Sequence, residues 1–205
     1  MNSSKPLLQS ILLTGYFFIF SQGYTQNWDI NLLKNINPQN PNSGFWKATT
    51  SSAFPLTVAT PVAAWVEAKL SHNKTNEYKA YKIAGSVIIA AGATEAMKII
   101  FDRKRPFEKY SEVYPYQFEN GRSFPSGHAS LAFATATSLS IEYKKWYVVV
   151  PAYAWAFGVG YSRLYLGEHY PTDIIGSAVT GAGSAFISHW LGEKIFHADR
   201  ATKIH

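Results

Sequence analysis

Residues 123–141 read SFPSGHASLAFATATSLSI and contain no Asp, Glu, Lys or Arg. The segment opens on Pro, Ser and Gly and continues with small and apolar residues for about five helical turns, as a helix packed among other helices does. Four further segments also lack these charged residue types: Ala48–Val66, Ile83–Thr94, Trp146–Ser162 and Ile174–Gly192. The sequence therefore predicts an all-α fold, a helical bundle of about five core helices.

The composition excludes several classes of protein. The 205 residues include no Cys, so disulfide scaffolds, thiol catalysis and thiolate metal sites are excluded. Hydrophobic residues make up 47% and charged residues only 16%, which excludes a disordered chain and favours a transmembrane bundle. A soluble bundle stays open as the alternative, because the uncharged segments are rich in Ala, Gly, Ser and Thr and are only moderately hydrophobic.

The N-terminus has the layout of an export signal. Lys5 precedes an uncharged apolar run, and small and polar residues follow it, so we expect residues 1–25 to be a signal peptide or signal anchor. Residues 26–47 are then a periplasmic segment with one short helix at Asp29–Asn35. Residues 48–192 form the bundle, and residues 193–205 form a polar C-terminal tail.

The distribution of lysines predicts an orientation. If the chain enters its first uncharged segment from outside, the Lys-rich turns at 69–82 and 144–145 and the basic residues after 193 all lie inside. The remaining cations then lie at the outer ends of the helices. We therefore expect a bacterial inner-membrane protein in which these cations at the outer helix ends face the periplasm.

Three blocks at those outer ends carry residues that can do chemistry: KIIFDRKRP at 98–106, PSGH at 125–128 and SRLYLGEHYPTD at 162–173. Lys98 and Arg105 are two helical turns apart and can project from one helix face before Pro106. Taken singly, this basic run also fits a solvated helix end.

The second and third blocks likewise allow both a functional and a purely structural interpretation. Ser126 suits a helix cap, Gly127 permits close backbone approach, and free amides at a helix start bind anions. Asp173 falls in the first turn of a helix that begins at Pro171, so its carboxylate can reach back to a ring nitrogen of His169. A plain helix start and a surface hydrogen bond are the alternatives.

Together the blocks resemble the three-part signature of the type 2 phosphatidic acid phosphatase superfamily, which includes bacterial acid phosphatases and vanadium haloperoxidases. Every defined position matches, between Lys98 and Asp173. The resemblance implies that His169 attacks phosphorus to form a phosphohistidine, that Asp173 orients its ring, and that His128 protonates the leaving oxygen. It also implies a phosphate cradle made of Lys98, Arg105, Ser126, Gly127 and Arg163.

The resemblance implies a phosphatase that needs no metal or other cofactor and that hydrolyses a lipid phosphate monoester or diphosphate. Its partners would be the phosphorylated lipid and the membrane lipids, and the sequence does not predict an oligomeric state. Alternatives are a soluble periplasmic acid phosphatase, a vanadate-dependent halide oxidase and a membrane scaffold with an inactive site. Nucleic-acid binding has little support, because the basic residues form no continuous stripe.

Some residues keep two interpretations. Arg103, Lys104 and Arg122 either attract anionic substrates or belong to a solvated basic loop. The aromatic loop from Phe107 to Phe124 either covers the site or is only structural. The remaining histidines match no motif and are assigned no role: His72, His189, His197 and His205.

Overall fold

The computed structural model describes residues 22–202, with side-chain surroundings for residues 28–196. Residues 1–21, most of the expected signal or anchor, lie outside the described part. The described chain folds into helices joined by short turns and one long loop, and it contains no strand. Their bounds are α1 Gln22–Ile36, α2 Gly44–Ser51, α3 Ala53–Leu70, α4 Lys74–Phe101, α5 Pro106–Lys109, α6 Gly127–Tyr143, α7 Trp146–Tyr165 and α8 Pro171–Thr202.

The prediction of an all-α bundle is confirmed, and its five core helices are α3, α4, α6, α7 and α8. Helix α6 lies at the centre and packs against the other four. Every residue from Ala129 to Ser138 is buried. The uncharged, small-residue segment at residues 123–141 therefore lies in the middle of the bundle.

Small residues let α8 approach α6 closely, as in helix pairs that pack through small side chains. A Cβ atom at Gly181 would lie 2.5 Å from the backbone oxygen of Ser130 and 2.7 Å from the backbone nitrogen of Ala134. Ser177, one turn earlier, donates a hydrogen bond to the backbone oxygen of Ser126 at 3.0 Å. The start of α6 is therefore held directly against the first turns of α8.

Two helices extend well beyond their uncharged segments. Helix α4 begins at Lys74, where the side chain of Asn73 accepts a hydrogen bond from the backbone of Asn76. Helix α8 continues to Thr202, through most of the segment expected to be a polar tail. Tertiary contacts explain the extensions, because Lys82 of α4 pairs with Glu193 of α8 at 2.8 Å and charged residues with partners can lie inside a bundle.

The N-terminal segment forms more helix than the sequence predicts. The short helix expected at Asp29–Asn35 is present within the longer α1. Leu33 is fully buried in a cluster with Ile30, Val113 and Tyr170, so α1 packs against the loop after α5 and the turn before α8. This contact brings α1 to the end of the bundle where the three sequence blocks meet.

Within residues 22–202, one helical stretch, Lys74–Lys109, is long and apolar enough by length and composition to cross a membrane. It contains α4 and α5. No other helix in this part of the chain is both long enough and apolar enough.

Candidate active site

His169 lies in the short turn between α7 and α8 and is almost fully buried. Pro171 begins α8, and Asp173 in its first turn places Oδ2 3.3 Å from Nδ1 of His169. The same Oδ2 accepts hydrogen bonds from the backbone of Tyr170, at 2.9 Å, and from the hydroxyl of Ser123. With Nδ1 held by the carboxylate, the ring presents Nε2 to the opposite side.

A glycine with positive φ shapes this turn. Gly167 has φ of 71°, and a Cβ atom there would lie 2.5 Å from the backbone oxygen of Tyr114. Asn37 of the loop after α1 secures the same place, because its side-chain amide donates to the backbone oxygens of Tyr114 and Tyr165, both at 2.9 Å. The turn that carries His169 therefore has a fixed path.

The environment of His169 keeps its ring neutral. Burial lowers the pKa of His169 to about 4, although the contact with Asp173 acts in the opposite direction. The nearby guanidinium groups of Arg163 and Arg105 also lower this pKa. A neutral imidazole with one nitrogen held by a carboxylate has a free lone pair on the other nitrogen, so Nε2 is available as a nucleophile or base.

Arg105 approaches His169 from a loop. The expectation that Lys98 and Arg105 share one helix face is wrong, because α4 ends at Phe101 and the next residue, Asp102, is left-handed with φ of 42°. Arg105 itself has extended backbone immediately before Pro106, the conformation that a following proline favours. Its Nη1 atom lies 3.5 Å from Nε2 of His169.

Arg163 is buried in the last full turn of α7. Its Nη1 donates to the hydroxyl of Thr50 at 3.0 Å, and its Nη2 lies 2.7 Å from Oε1 of Glu119. Its Nε has no hydrogen-bond partner among the residues that the structure describes. Buried guanidinium groups normally satisfy all their donors, so Arg163 keeps one donor for a group that the chain does not supply.

Two glutamates that the sequence analysis missed complete this network. Oε2 of Glu119 lies 2.9 Å from Nη2 of Arg105, so its carboxylate bridges both arginines. Burial would raise the pKa of Glu119, but Arg163 and Arg105 lower it to about 2. Glu168 is 3.4 Å from Arg105, and burial raises its pKa to about 7. Glu119 belongs to none of the three sequence blocks, so no motif predicts it. Glu168 could have been found, because it directly precedes His169 in the third block.

The second sequence block forms the start of α6. Ser126 occupies the cap position, but it makes no side-chain capping bond, and its buried hydroxyl has no partner within the described part of the chain. A Cβ atom at Gly127 would lie 3.9 Å from Nζ of Lys98, so the glycine leaves the helix start open to that ammonium group. The ring of His128 lies edge-on to Phe54, with 4.6 Å between centroids.

A cavity of about 300 Å³ connects these groups. Its polar wall includes Lys98, Arg105, Gly127, His128 and His169. Of the other predicted site residues, Asp173 lies behind His169, Arg163 reaches the wall through Glu119, and Ser126 is the cap residue beside Gly127. The remaining lining residues are Phe54, Ala91, Thr94, Glu95, Glu119, Asn120 and Leu131.

The sequence of this chain is similar to a known protein family and to several characterised proteins. Residues 79–196 match the model of the PAP2 superfamily. The chain is 35% identical over 75 residues to a lipid A 4'-phosphatase of Bacteroides thetaiotaomicron, covering 37% of this chain and 33% of the relative. It is 32% identical over 104 residues to an undecaprenyl-diphosphatase of Sulfolobus acidocaldarius, covering 50% of each. The chain thus spans about a third to a half of the length of these curated relatives.

Solved structures share the fold. The crystal structure of Aquifex aeolicus LpxE superposes with a TM-score of 0.67 at 23% identity, covering 78% of this chain and 94% of that one. The transmembrane PAP2-type phosphatidylglycerolphosphate phosphatase of Bacillus subtilis gives 0.66 at 21% identity, covering 90% and 96%. With the family model matching more than half of its residues, this chain belongs to the PAP2 superfamily.

Proposed function

We propose that this protein is a phosphatase that hydrolyses a phosphate monoester or diphosphate on a lipid through a phosphohistidine intermediate. One observation carries the proposal. The buried His169 ring has Nδ1 3.3 Å from the carboxylate of Asp173 and Nε2 3.5 Å from the guanidinium of Arg105, beside a cavity lined by cations.

In the first step, the lone pair on Nε2 of His169 attacks phosphorus, and the bond from phosphorus to the leaving oxygen breaks. The electron pair of that bond goes to the leaving oxygen, which takes a proton from the imidazolium form of His128 and leaves that ring neutral. The ring of His169 becomes cationic as the N–P bond forms, and the carboxylate of Asp173 stabilises that charge.

In the second step, water attacks phosphorus, and its proton passes to His128, which the first step left unprotonated. The N–P bond breaks, its electron pair returns to Nε2, and inorganic phosphate leaves. Both histidines are then back in their starting states. His128 and His169 line the same cavity. This supports the use of His128 as the acid in the first step and as the base in the second.

The phosphoryl oxygens would be held by Lys98, Arg105 and Arg163, with the backbone amide of Gly127 and the hydroxyl of Ser126. Charge spreads over these oxygens in the transition state, so positioned cations and amides stabilise it more than the ground state. The donors of Arg163 and Ser126 that have no protein partner support this assignment.

The donor set also supports a reaction that needs no metal. The cavity presents an ammonium and a guanidinium beside the nucleophile, and these would supply the positive charge that a metal could otherwise bring.

A lipid substrate and a membrane location are supported by the surface. Many large apolar side chains are exposed along the described helices, and monomeric soluble proteins rarely expose large contiguous apolar patches. Examples on α3, α4, α7 and α8 are Val58, Val62, Leu70, Ile88, Ile99, Ile100, Val150, Phe157, Val179, Phe186 and Ile195. The cavity wall formed by Phe54, Ala91 and Leu131 would accept the apolar part of a lipid next to its phosphate.

The lysine distribution supports an orientation in the bacterial inner membrane with the site facing the periplasm. Lys69, Lys74 and Lys82 lie near the end of the bundle opposite His169, as do Lys144 and Lys145. Positive residues concentrate on the cytoplasmic side of membrane proteins.

The test is phosphate release in detergent from phosphatidic acid, phosphatidylglycerophosphate, an isoprenyl diphosphate and lipid A, beside a soluble aryl phosphate. We expect the purified protein to act on at least one lipid. After rapid quenching of a reaction with ³²P-labelled substrate, we expect it to retain ³²P in an acid-labile phosphorus–nitrogen bond. His169→Ala should lower turnover by at least about 10⁴-fold and abolish labelling, because the nucleophile is lost.

The matched control is His189→Ala, since His189 lies on α8 at the other end of the bundle and should leave turnover unchanged. Full activity in His169→Ala would overturn the mechanism. Preference for the aryl phosphate over every lipid would overturn the lipid assignment, and release of the protein from cells by osmotic shock without detergent would overturn the membrane location.

A further inference from the structure

The carboxylate of Asp173 has a second charged partner besides His169. Its Oδ1 lies 2.5 Å from Nη1 of Arg103, a residue of the loop after α4. The other amine of that guanidinium, Nη2, lies 2.6 Å from Oδ2 of Asp29 in α1. We call this chain of three groups, which begins beside the imidazole of His169, the Asp29–Arg103–Asp173 triplet.

The triplet is built into the fold. The side chains of Asp29 and Asp173 are 2% and 0% exposed, so neither carboxylate can rely on water for its stabilisation. Thr172 donates its backbone N–H to Oδ1 of Asp29 at 2.9 Å and its hydroxyl to Oδ2 at 2.6 Å. The guanidinium also lies 3.8 Å from the ring centroid of Tyr170. These contacts fix the triplet in one geometry.

Arg103 also acts on Asp173 through a second route. Its backbone oxygen accepts a hydrogen bond from the backbone of Ser123 at 2.7 Å. The hydroxyl of Ser123 in turn donates to Oδ2 of Asp173. Arg103 therefore helps to place both oxygens of the carboxylate that faces His169, although Arg103 does not line the cavity.

The charges of the triplet suggest why Asp29 is needed. Arg103 alone would neutralise Asp173 and weaken its stabilisation of a cationic ring at His169. With Asp29 on the far side of the guanidinium, two carboxylates and one guanidinium leave one net negative charge. That charge lies beside the ring that becomes cationic when it bonds to phosphorus.

We propose that Asp29 and Arg103 are positioning residues for the reaction of His169: Arg103 orients the carboxylate of Asp173, and Asp29 preserves the net negative charge that stabilises the cationic ring. This inference rests on the proposed function. It extends the functional site to α1, since Asp29 precedes the segment that matches the family model, residues 79–196.

The test compares variants of the full-length protein in detergent, with the best substrate of the lipid panel. Asp29→Asn removes the charge but keeps an oxygen for the N–H of Thr172, so it should fold. We expect its kcat to fall about 10-fold and its KM to stay within about twofold, because Asp29 is outside the cavity. Arg103→Met should lower kcat on the order of 100-fold, as a displaced catalytic group does, and Arg103→Lys should recover part of the loss.

The pH profile separates positioning from a merely structural role. Loss of a negative charge disfavours protonation of His169, so the acid limb of kcat/KM in Asp29→Asn should move to lower pH. The other titratable and charged groups around His169 stay the same in this variant: Arg105, Arg163, Glu119, Glu168 and His128.

Glu112→Gln is the matched control, because Glu112 pairs with Lys34 of α1 at 2.9 Å in an exposed salt bridge. It should match the wild type in kcat and pH profile. The proposal is overturned if monodisperse, folded Asp29→Asn protein keeps the wild-type kcat and acid limb. Absence of turnover and ³²P labelling in the wild type would instead overturn the proposed function itself.

Discussion

Two clusters of charged residues lie at opposite ends of this bundle and are organised differently. The active-site cluster contains Arg105, Arg163, Glu119, Glu168 and His169. The far cluster contains Lys82, Glu142, His189 and Glu193. Lys98 lines the cavity of the active-site cluster, and along α4 it is about 24 Å from Lys82. The two clusters are therefore separate features of the same helices.

The far cluster is closed. Lys82 lies 2.8 Å from both Glu142 and Glu193, and Nδ1 of His189 lies 2.8 Å from the other oxygen of Glu142. These residues join α4, α6 and α8, and in the described chain none of their side-chain atoms is buried without a partner. Their charges satisfy one another. Such a cluster joins helices but is not arranged to bind a ligand.

The active-site cluster is open. Nε of Arg163 and the hydroxyl of Ser126 are buried without partners, as is the hydroxyl of Thr94 in the cavity wall. Buried polar atoms without partners raise the free energy of the folded protein, so they persist where a ligand is bound in the working cycle. Unsatisfied donors, rather than charge itself, therefore distinguish the end of the bundle that holds the candidate active site.

The largest expected effect is on stability at the far cluster. Lys82→Met leaves the buried carboxylate of Glu142 without its cation and should lower the free energy of unfolding by about 3–5 kcal/mol. The kcat of the protein that remains folded should not change. Thermal unfolding in detergent and activity at low temperature measure the two quantities.

Lys79→Met is the matched control on the same helix. Lys79 contacts the ring of Tyr143, with Nζ 5.2 Å from the centroid, and its loss should cost about 1 kcal/mol or less. Equal destabilisation by the two substitutions would show that the far cluster does not stabilise the bundle.

The next effect is on activity at the active-site cluster. Arg163→Met should raise the activation barrier by about 3–4 kcal/mol, because a donor proposed to bind the phosphoryl oxygens is lost. Arg163→Lys should recover only part of the rate, since an ammonium lacks the planar fork of a guanidinium. Steady-state kinetics measure both variants, and wild-type kcat/KM in Arg163→Met would contradict the assignment of an open cluster.

A smaller effect concerns substrate binding. The carboxylate of Glu119 forms ion pairs with both Arg105 and Arg163 in the structure. It is ionised, because these arginines lower its pKa to about 2 against the opposing effect of burial. A substrate phosphate has to displace it. Glu119→Gln should therefore lower KM by about 10-fold, which corresponds to about 1.4 kcal/mol.

Glu112→Gln, in the same loop but exposed, should leave KM unchanged. Inhibition by inorganic phosphate should strengthen in Glu119→Gln in parallel with the change in KM. A higher KM in that variant would show that Glu119 contributes to substrate binding and does not compete with it.

The smallest expected effect is on the pH profile. His169 must be neutral to attack, so kcat/KM should rise as the pH increases through about 4. Burial raises the pKa of Glu168 to about 7, and its ionisation adds negative charge beside the arginines, so kcat/KM should fall as the pH increases through about 7.

Glu168→Gln should reduce the alkaline fall by a few-fold with the same substrate, which holds the ionisation of the substrate constant. Its acid limb should keep its position, because His169 is unchanged. An identical alkaline limb in wild type and variant would assign that limb to another group.

The sequence predicted the helices better than their ends. Uncharged segments located the five core helices because buried faces exclude unpaired charge. They did not predict that α4 starts at Lys74 or that α8 reaches Thr202, because distant partners such as Glu193 admit Lys82 into the bundle. The single-face placement of Lys98 and Arg105 failed for a local reason, since α4 ends at the left-handed Asp102.

The sequence also could not assign Arg103. As a basic residue in a basic loop, it was interpreted as a solvated or substrate-attracting cation. The structure instead pairs it with Asp29 and Asp173, which are 74 and 70 residues away along the chain. No local pattern carries such information.

By itself, the sequence determined the helical class, the buried small-residue face of α6 and the pairing of His169 with Asp173, because each depends on spacing within one helix or turn. The tertiary structure alone decided that Glu119 bridges the two arginines and that Asp29 reaches the site. Those contacts join segments far apart in the chain, and their geometry depends on how the helices pack, which local spacing does not encode.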